Sequence, residues 1–436
     1  MSKLAILGGP KAVTLDNTEA ERWPIYTEED EQAMLDVMRR NAMSGTDITK
    51  KFEREFAGYL GCEYAIGTTN GTSALEECLY AIGFGRGDEL ICPSMTYWAS
   101  CSCVYKFGGT VVFADCDPVS LCIRPDDIEH RITPHTKAIM AVHYFACPAD
   151  MDPIMDIARR HGLKVIEDVS HATGGKYKGR RLGTIGDCAG QSLMTLKSFA
   201  IGEGGMFTTN DRHLYERALQ YSHYERNSEE YITDPELQKL CGIAVGGAKG
   251  RMNQACAAIG RVQIKYYESR MKEIQAAMNY LWDRIGTLPG LLDRRPKWAD
   301  SDMGGWYCPH GVYNAGELGG LSIERFCEAL RAEGVFAQPG ANFPLHTHPM
   351  YQTFDAYHDG KPSRIANSDW DVREGDKTLP VSEQVNRTVF YTNWIKKLDK
   401  PLLDEIAEGY RKVCENYAEL LPGDKRQNEV HGIWHF

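Results

Sequence analysis

From about residue 60 to residue 210, short apolar runs alternate with stretches of helical length. "YAIGTT", "DELICPS", "TVVFADCD", "KAIMAVHYF" and "LKVIEDVS" read as strands. The last three are nearly continuous apolar runs rich in β-branched residues, the pattern of strands covered on both faces. "NGTSALEECLYAIG" reads as a helix capped by Asn70 or Thr72, "TYWASCSCVYKFG" as a helix ended by glycine, and "DMDPIMDIARRHG" as an amphipathic helix. Strands alternating with helices predict a largely parallel sheet with helices on both sides. Beyond about residue 270 the pattern changes. "SRMKEIQAAMNYLWDRIG" predicts a long helix able to bridge two domains, and the segment after it is richer in proline, tryptophan and short strands. The polar stretch from Asp355 to Asp376 predicts a long surface loop. The organisation expected is an N-terminal arm (1–30), a large α/β domain (31–270) and a smaller C-terminal α+β domain (271–436).

Composition narrows the class without naming a function. A chain of 436 residues exceeds one simple core, and 43% hydrophobic with 25% charged residues is the balance of a folded protein. A formal net charge of −11 argues against a nucleic-acid or anionic-membrane surface. No apolar run is long enough to span a bilayer, and "MSKLAILGGPKAV" lacks the apolar core and cleavage site of a signal peptide. The 14 cysteines are scattered, with no C-x-x-C pair, and are read as reduced apolar residues of a cytoplasmic protein.

In a parallel sheet, ligands bind at the carboxyl ends of the strands, so the residues just after each strand carry the candidate chemistry. After "YAIGTT" comes Asn70-Gly71-Thr72-Ser73, either a plain helix cap or a helix N-terminus that seats a phosphate. After "DELICPS" come Tyr97 and Trp98, core aromatics or a wall for a flat ring. After "KVIE" comes Asp168, with His171 three residues on; an acid there caps a turn or faces a cationic nitrogen. After "AGQSLM" comes Lys197, with Ser192 five residues earlier and Glu203 as the nearby carboxylate; the lysine lies at a loop edge or holds an aldehyde. A phosphate seat, an aromatic wall, an anion and an amine at successive strand ends are together what pyridoxal phosphate requires.

These stretches also resemble the DegT/StrS family of pyridoxal-phosphate-dependent sugar aminotransferases. The marks are "FEREFAGYLGCEYAIGTTNGTSAL", "CPSMTYWAS", "KVIEDVSHATGG", "SLMTLKSFAIGEGG" and "GRMNQACAAIGRVQ", from about Trp23 to residue 280 and more loosely to about 400. The resemblance implies a pyridoxal-phosphate-dependent transferase fold like that of aspartate aminotransferase, working as a homodimer with the site at the subunit interface. It implies that Lys197 is the Schiff-base lysine, that Asp168 pairs with the pyridinium nitrogen and that His171 lies near the ring hydroxyl. Tyr97 takes the stacking position, and Thr72, Ser73 and Ser192 match phosphate binders. The activity implied is ping-pong transfer of an amino group from glutamate or glutamine to a keto-sugar or keto-cyclitol; "LAILGGPKAV" looks more like the cyclitol branch.

The chain departs from the family pattern in places. Lys249 in "AKGRM" stands where the family carries an asparagine that reaches the partner subunit's phosphate, and as a lysine it is expected to meet that phosphate in its place. About a dozen extra residues separate Lys197 from Lys249, and the loop from Asp355 to Asp376 is longer than the pattern. No arginine is assignable to a donor carboxylate. His346 and His348 in "PLHTHPMY" have no third ligand at a metal-binding spacing, so no metal is expected. The alternative readings are a dehydratase-like enzyme on the same cofactor, whose relatives carry histidine at the lysine position, and a non-catalytic ligand sensor. A dinucleotide turn is disfavoured because Gly83-Phe84-Gly85-Arg86-Gly87 precedes a strand instead of following one.

Overall fold

The computed structural model describes residues 3–365, 378–425 and 430–434. Seven strands form the main sheet: β1 (Tyr64–Thr68), β2 (Glu89–Pro93), β3 (Thr110–Ala114), β4 (Thr136–Val142), β5 (Lys164–Asp168), β6 (Cys188–Ser192) and β7 (Gly205–Thr209). Their order is β3-β2-β4-β5-β6-β7-β1. β3 through β6 are parallel neighbours, and β7 runs antiparallel to both β6 and β1. Every residue of β2 and the last five of β4 are buried, as their continuous apolar runs require.

Helix Gly71–Ala81 follows β1, and helix Met151–His161 connects β4 to β5. The latter ends at Gly162, whose φ of +67° is open to glycine at little cost. "TYWASCSCVYKFG" departs from the single helix predicted. It makes one α-helical turn, Ala99–Ser102, and then a 3-10 stretch, Cys103–Phe107, before Gly108 at φ +78°. Its serine, cysteine, valine and aromatic residues are poor helix formers, and Ser100 turns its hydroxyl to a distant carboxylate instead.

The predicted long helix is longer than its sequence signal. It runs over Gln254–Ile285, 32 residues or about 48 Å, and packs against both helix Asp47–Leu60 and helix Lys400–Glu415. Residue 270 therefore falls inside one continuous helix. A second, antiparallel sheet follows it, made of β8 (Leu291–Leu292), β9 (His310–Tyr313), β10 (Ala337–Pro339) and β11 (Val389–Thr392) in the order β8-β9-β11-β10. Of the polar stretch 355–376, residues 366–376 lie outside the described residues. All 14 cysteines are free thiols, ten of them buried. Among the described residues no helix is long and apolar enough to cross a membrane.

Candidate active site

The carboxyl ends of β1, β2, β5 and β6 converge on one cavity of about 430 Å³. Six of the eight predicted site residues line it: Thr72, Tyr97, Asp168, His171, Ser192 and Lys197. Ser73 and Lys249 do not. They line a neighbouring cavity of about 420 Å³, which shares Asn70 and Thr72 with the first. The Ser73 hydroxyl is engaged with Thr69 Oγ1 at 2.8 Å, and Lys249 Nζ lies 5.7 Å from the ring centroid of Tyr224.

One wall of the main cavity is a helix start. Asn70 Oδ1 accepts the N–H of Ser73 at 2.9 Å, which caps helix Gly71–Ala81 and fixes its direction. The N–H groups of Gly71 and Thr72 precede the helical ladder, so they stand at the positive end of the helix dipole. Gly71 admits the strand beside it. A Cβ at that position would lie 2.7 Å from Ser192 Cβ, so helix and strand approach this closely only around glycine. Ser192 is held from the other side, its N–H donating to Ser170 Oγ at 3.1 Å.

Asp168 ends the buried strand β5 and is only 6% exposed. Its Oδ2 accepts the hydroxyl of Ser100 at 2.7 Å and its Oδ1 the N–H of Ser170 at 3.0 Å. Because Ser100 gives its one proton to Asp168, Thr96 Oγ1, 2.8 Å away, is the donor to Ser100. Among the described residues no cation lies within ion-pairing distance of Asp168. The carboxylate is thus aimed, hydrogen-bonded and charge-unpaired, the arrangement that suits a cationic ligand atom.

His171 packs between Phe145 (ring centroids 5.6 Å apart, planes 8° apart) and Tyr307 (4.7 Å). Burial pushes its imidazole well below the ordinary histidine range, and the charges of Lys197 and His310 act the same way. Its Nδ1 accepts the N–H of Phe145 at 3.3 Å, so the neutral ring carries its proton on Nε2.

Lys197 is half-buried by area because the cavity opens over it, yet protein packs densely around its amine. Burial brings the amine down to about 8, opposed by Cys308 and Asp168. Its backbone is clamped: the N–H donates to Met194 O at 2.8 Å, and its carbonyl accepts Trp23 Nε1–H at 2.9 Å. Nζ stands 4.2 Å from the ring centroid of Tyr307. The exposed Glu203 also lines the cavity.

Sequence reasoning passed over Ser100, Ser170 and Tyr307. Ser100 lies within "TYWAS", in a helical turn beyond the strand, where no local pattern marks which hydroxyl faces the site. Tyr307 had none: it comes from a turn in which Trp306 and Cys308 take φ of +53° and +46°, rare for non-glycine residues. The two histidines of "PLHTHPMY" are engaged in the fold. His346 Nδ1 bonds Ser94 Oγ at 2.7 Å and its Nε2 meets Glu383 at 3.2 Å, while His348 Nδ1 accepts the N–H of Met350 at 3.1 Å.

The sequence matches the model of the DegT/DnrJ/EryC1/StrS aminotransferase family over residues 24–387. It is 29% identical over 440 residues to the L-glutamine:scyllo-inosose aminotransferase of Streptomyces griseus, which covers 96% of this chain and 99% of that one. It is 38% identical over 303 residues to the GDP-perosamine synthase of Caulobacter vibrioides, covering 69% of this chain and 78% of that one. Among solved structures, the aminotransferase from Psychrobacter cryohalolentis aligns with a TM-score of 0.76 at 27% identity, over 91% of this chain and 99% of that chain.

Proposed function

The chain belongs to the DegT/DnrJ/EryC1/StrS aminotransferase family, and from that premise we propose that it moves the amino group of L-glutamine or glutamate to a keto-cyclitol, using pyridoxal 5'-phosphate. The observation that carries the chemistry is the pairing, in one cavity, of a low-affinity lysine amine with a charge-unpaired carboxylate beside a helix N-terminus. The end-to-end match to an L-glutamine:scyllo-inosose aminotransferase supports the cyclitol and the donor. A keto-sugar is the second reading, supported by the higher identity to a GDP-perosamine synthase over a shorter span.

The residues present fit that cofactor. The N–H groups of Gly71 and Thr72, with the hydroxyls of Thr72 and Ser192, would hold the phosphate. Tyr97 would flank the ring, His171 Nε2–H would donate to the ring hydroxyl, and Asp168 would keep the ring nitrogen protonated. When bound, the group supplies an aldehyde that accepts amino groups and a cationic ring that draws electrons from the adjacent carbon. Lys197 would hold the aldehyde carbon. Its Nζ would also serve as the base for the donor's α-proton and as the acid that returns a proton one position away, a role suited to an amine brought down to about 8. The ketone substrate then uses the same groups in the opposite order.

The reading includes a homodimer. Leu240, Ile243 and Val245, near Lys249, are exposed, Ile243 by 79%, which supports cover by a second copy, where Lys249 would reach the phosphate site of its partner.

The test is the visible spectrum of the purified protein with pyridoxal phosphate. A yellow band is expected that fades with glutamine or glutamate and returns with scyllo-inosose. Protein that takes up no pyridoxal phosphate ends the proposal, and colour restored only by nucleotide-linked keto-sugars moves the second reading forward. Gly71→Ala is expected to weaken pyridoxal phosphate binding by about 5- to 150-fold, because overpacking costs about 1–3 kcal/mol where helix meets strand. Equilibrium dialysis reads this directly, and unchanged affinity would remove the phosphate seat from this wall.

A further inference from the structure

Lys197 is held at both ends by one chain of contacts. Its carbonyl accepts the indole N–H of Trp23 at 2.9 Å. The Trp23 ring lies 5.9 Å from that of Trp394, which meets the ring of Tyr307 edge to face, also at 5.9 Å. Tyr307 closes the circuit, with its ring centroid 4.2 Å from Lys197 Nζ and 4.7 Å from the ring of His171. The path leaves Lys197 by its carbonyl and returns to its amine. It passes through three segments distant in sequence: the N-terminal arm, the chain just after β11 and the turn before β9.

Each segment is pinned to the next. Asn393 Nδ2 donates to Glu21 Oε1 at 2.6 Å. Lys396 donates twice to the arm, from its backbone N–H to the Ala20 carbonyl and from Nζ to the Glu21 carbonyl, both at 2.7 Å. Trp394 Nε1–H donates to the carbonyl of Gly305 at 2.9 Å and so fixes the turn. Gly305 packs on the residue after the lysine, where a Cβ would lie 2.5 Å from Ser198 Cβ. The arm itself adds little to the core, since its helical turn Thr18–Glu21 buries only Ala20 and Trp23 is half-buried. What it delivers is a hydrogen-bond donor to the backbone of Lys197.

We propose that Trp23 and Trp394 are positioning residues, which by closing this circuit hold the Lys197 amine in the cavity wall and away from bulk water. The inference rests on Lys197 as the reactive amine of the proposed reaction. Opening the circuit lets the side chain reach water, and hydration favours the charged amine. The amine, which burial brings down to about 8, then climbs towards the range of an ordinary lysine.

The test reads that amine in the apoprotein. Limited acetylation with acetic anhydride, followed by peptide mass spectrometry, gives the reaction rate at Lys197 against pH. In the unaltered protein the rate should level off above about 8. Trp23→Phe keeps a ring beside Trp394 but removes the N–H, and Trp394→Phe likewise removes the N–H to Gly305. Each is expected to raise the midpoint by about one pH unit, which is a tenfold smaller neutral fraction at pH 7. The double variant should rise no further than the larger single shift, because one circuit is opened only once. With pyridoxal phosphate added, both half-reactions should slow by a common factor with the KM for glutamine unchanged, since one amine serves both. A midpoint that stays near 8 in Trp23→Phe, even with a lower melting temperature, makes Trp23 a structural prop and overturns the proposal. So do shifts that add in the double variant, or an amine of ordinary affinity in the unaltered protein. If one single variant does not fold, the midpoint of the other decides. The acetylation profile needs no cofactor, so it decides the circuit even where the protein binds no pyridoxal phosphate and the proposed reaction falls.

Discussion

Lys197→Ala is expected to lower turnover by more than about 10⁴-fold, the range that loss of acid–base catalysis alone can reach, since here the same amine would also hold the cofactor. The fold should survive, because the side chain makes no hydrogen bond that the surrounding elements need and its backbone is clamped by Met194 and Trp23. Circular dichroism should match the unaltered protein while the visible band is lost. The pH response separates a reactive amine from a structural one. With the amine at about 8, roughly a tenth is neutral at pH 7, whereas an ordinary lysine has less than about one part in a thousand neutral there. Capture of pyridoxal phosphate by the unaltered apoprotein should therefore quicken tenfold from pH 6 to 7 and level off above 8. A pH profile that climbs unchanged to 10, or a folded alanine variant with normal turnover, contradicts the role.

The features legible in the sequence are those fixed by local pattern. Continuous runs such as "KAIMAVHYF" disclose buried parallel strands because both faces must be apolar, and the residue after such a strand is marked by position alone; Asp168 was found that way. Asn70 was visible as a cap because its side chain satisfies a helix end from within the same few residues. What stayed hidden depends on distance. The hydrogen-bond chain Thr96–Ser100–Asp168 joins residues 68 positions apart at its Ser100–Asp168 link, and nothing in "TYWAS" says which hydroxyl turns inward. Tyr307 reaches Lys197 from beyond the long helix, along a turn whose left-handed residues carry no compositional mark. Arg294 in "LLDRRPKW" reads like its neighbour Arg295, yet among the described residues one is buried without a counter-ion and the other is paired. Charge pattern alone does not separate them.

Asp168→Asn carries the second large effect, with opposite signs in activity and stability. Asparagine is isosteric: its one carbonyl oxygen can still accept the Ser170 N–H while its NH2 donates to Ser100 Oγ. Ser100 then turns its own proton to Thr96, so the site geometry is retained. What is lost is the negative charge that would keep the ring nitrogen protonated. Removing one preorganised electrostatic contact of this kind costs about 10²–10³ in turnover. In the apoprotein the same carboxylate is a nearly buried charge with no cation within ion-pairing distance among the described residues, so neutralising it should leave stability equal or higher. The melting temperature of the apo variant should therefore hold or rise, while the further rise on adding pyridoxal phosphate shrinks. Ser100→Ala is the control: it removes one hydrogen bond to Asp168 but keeps the charge, so turnover should fall by only about tenfold. An Asp168→Asn protein that loses turnover in step with its own unfolding would make the residue a structural support. Unchanged turnover would remove it from the chemistry. A stable, inactive variant with weakened cofactor stabilisation is the result that fits a residue whose unpaired charge is kept for a ligand.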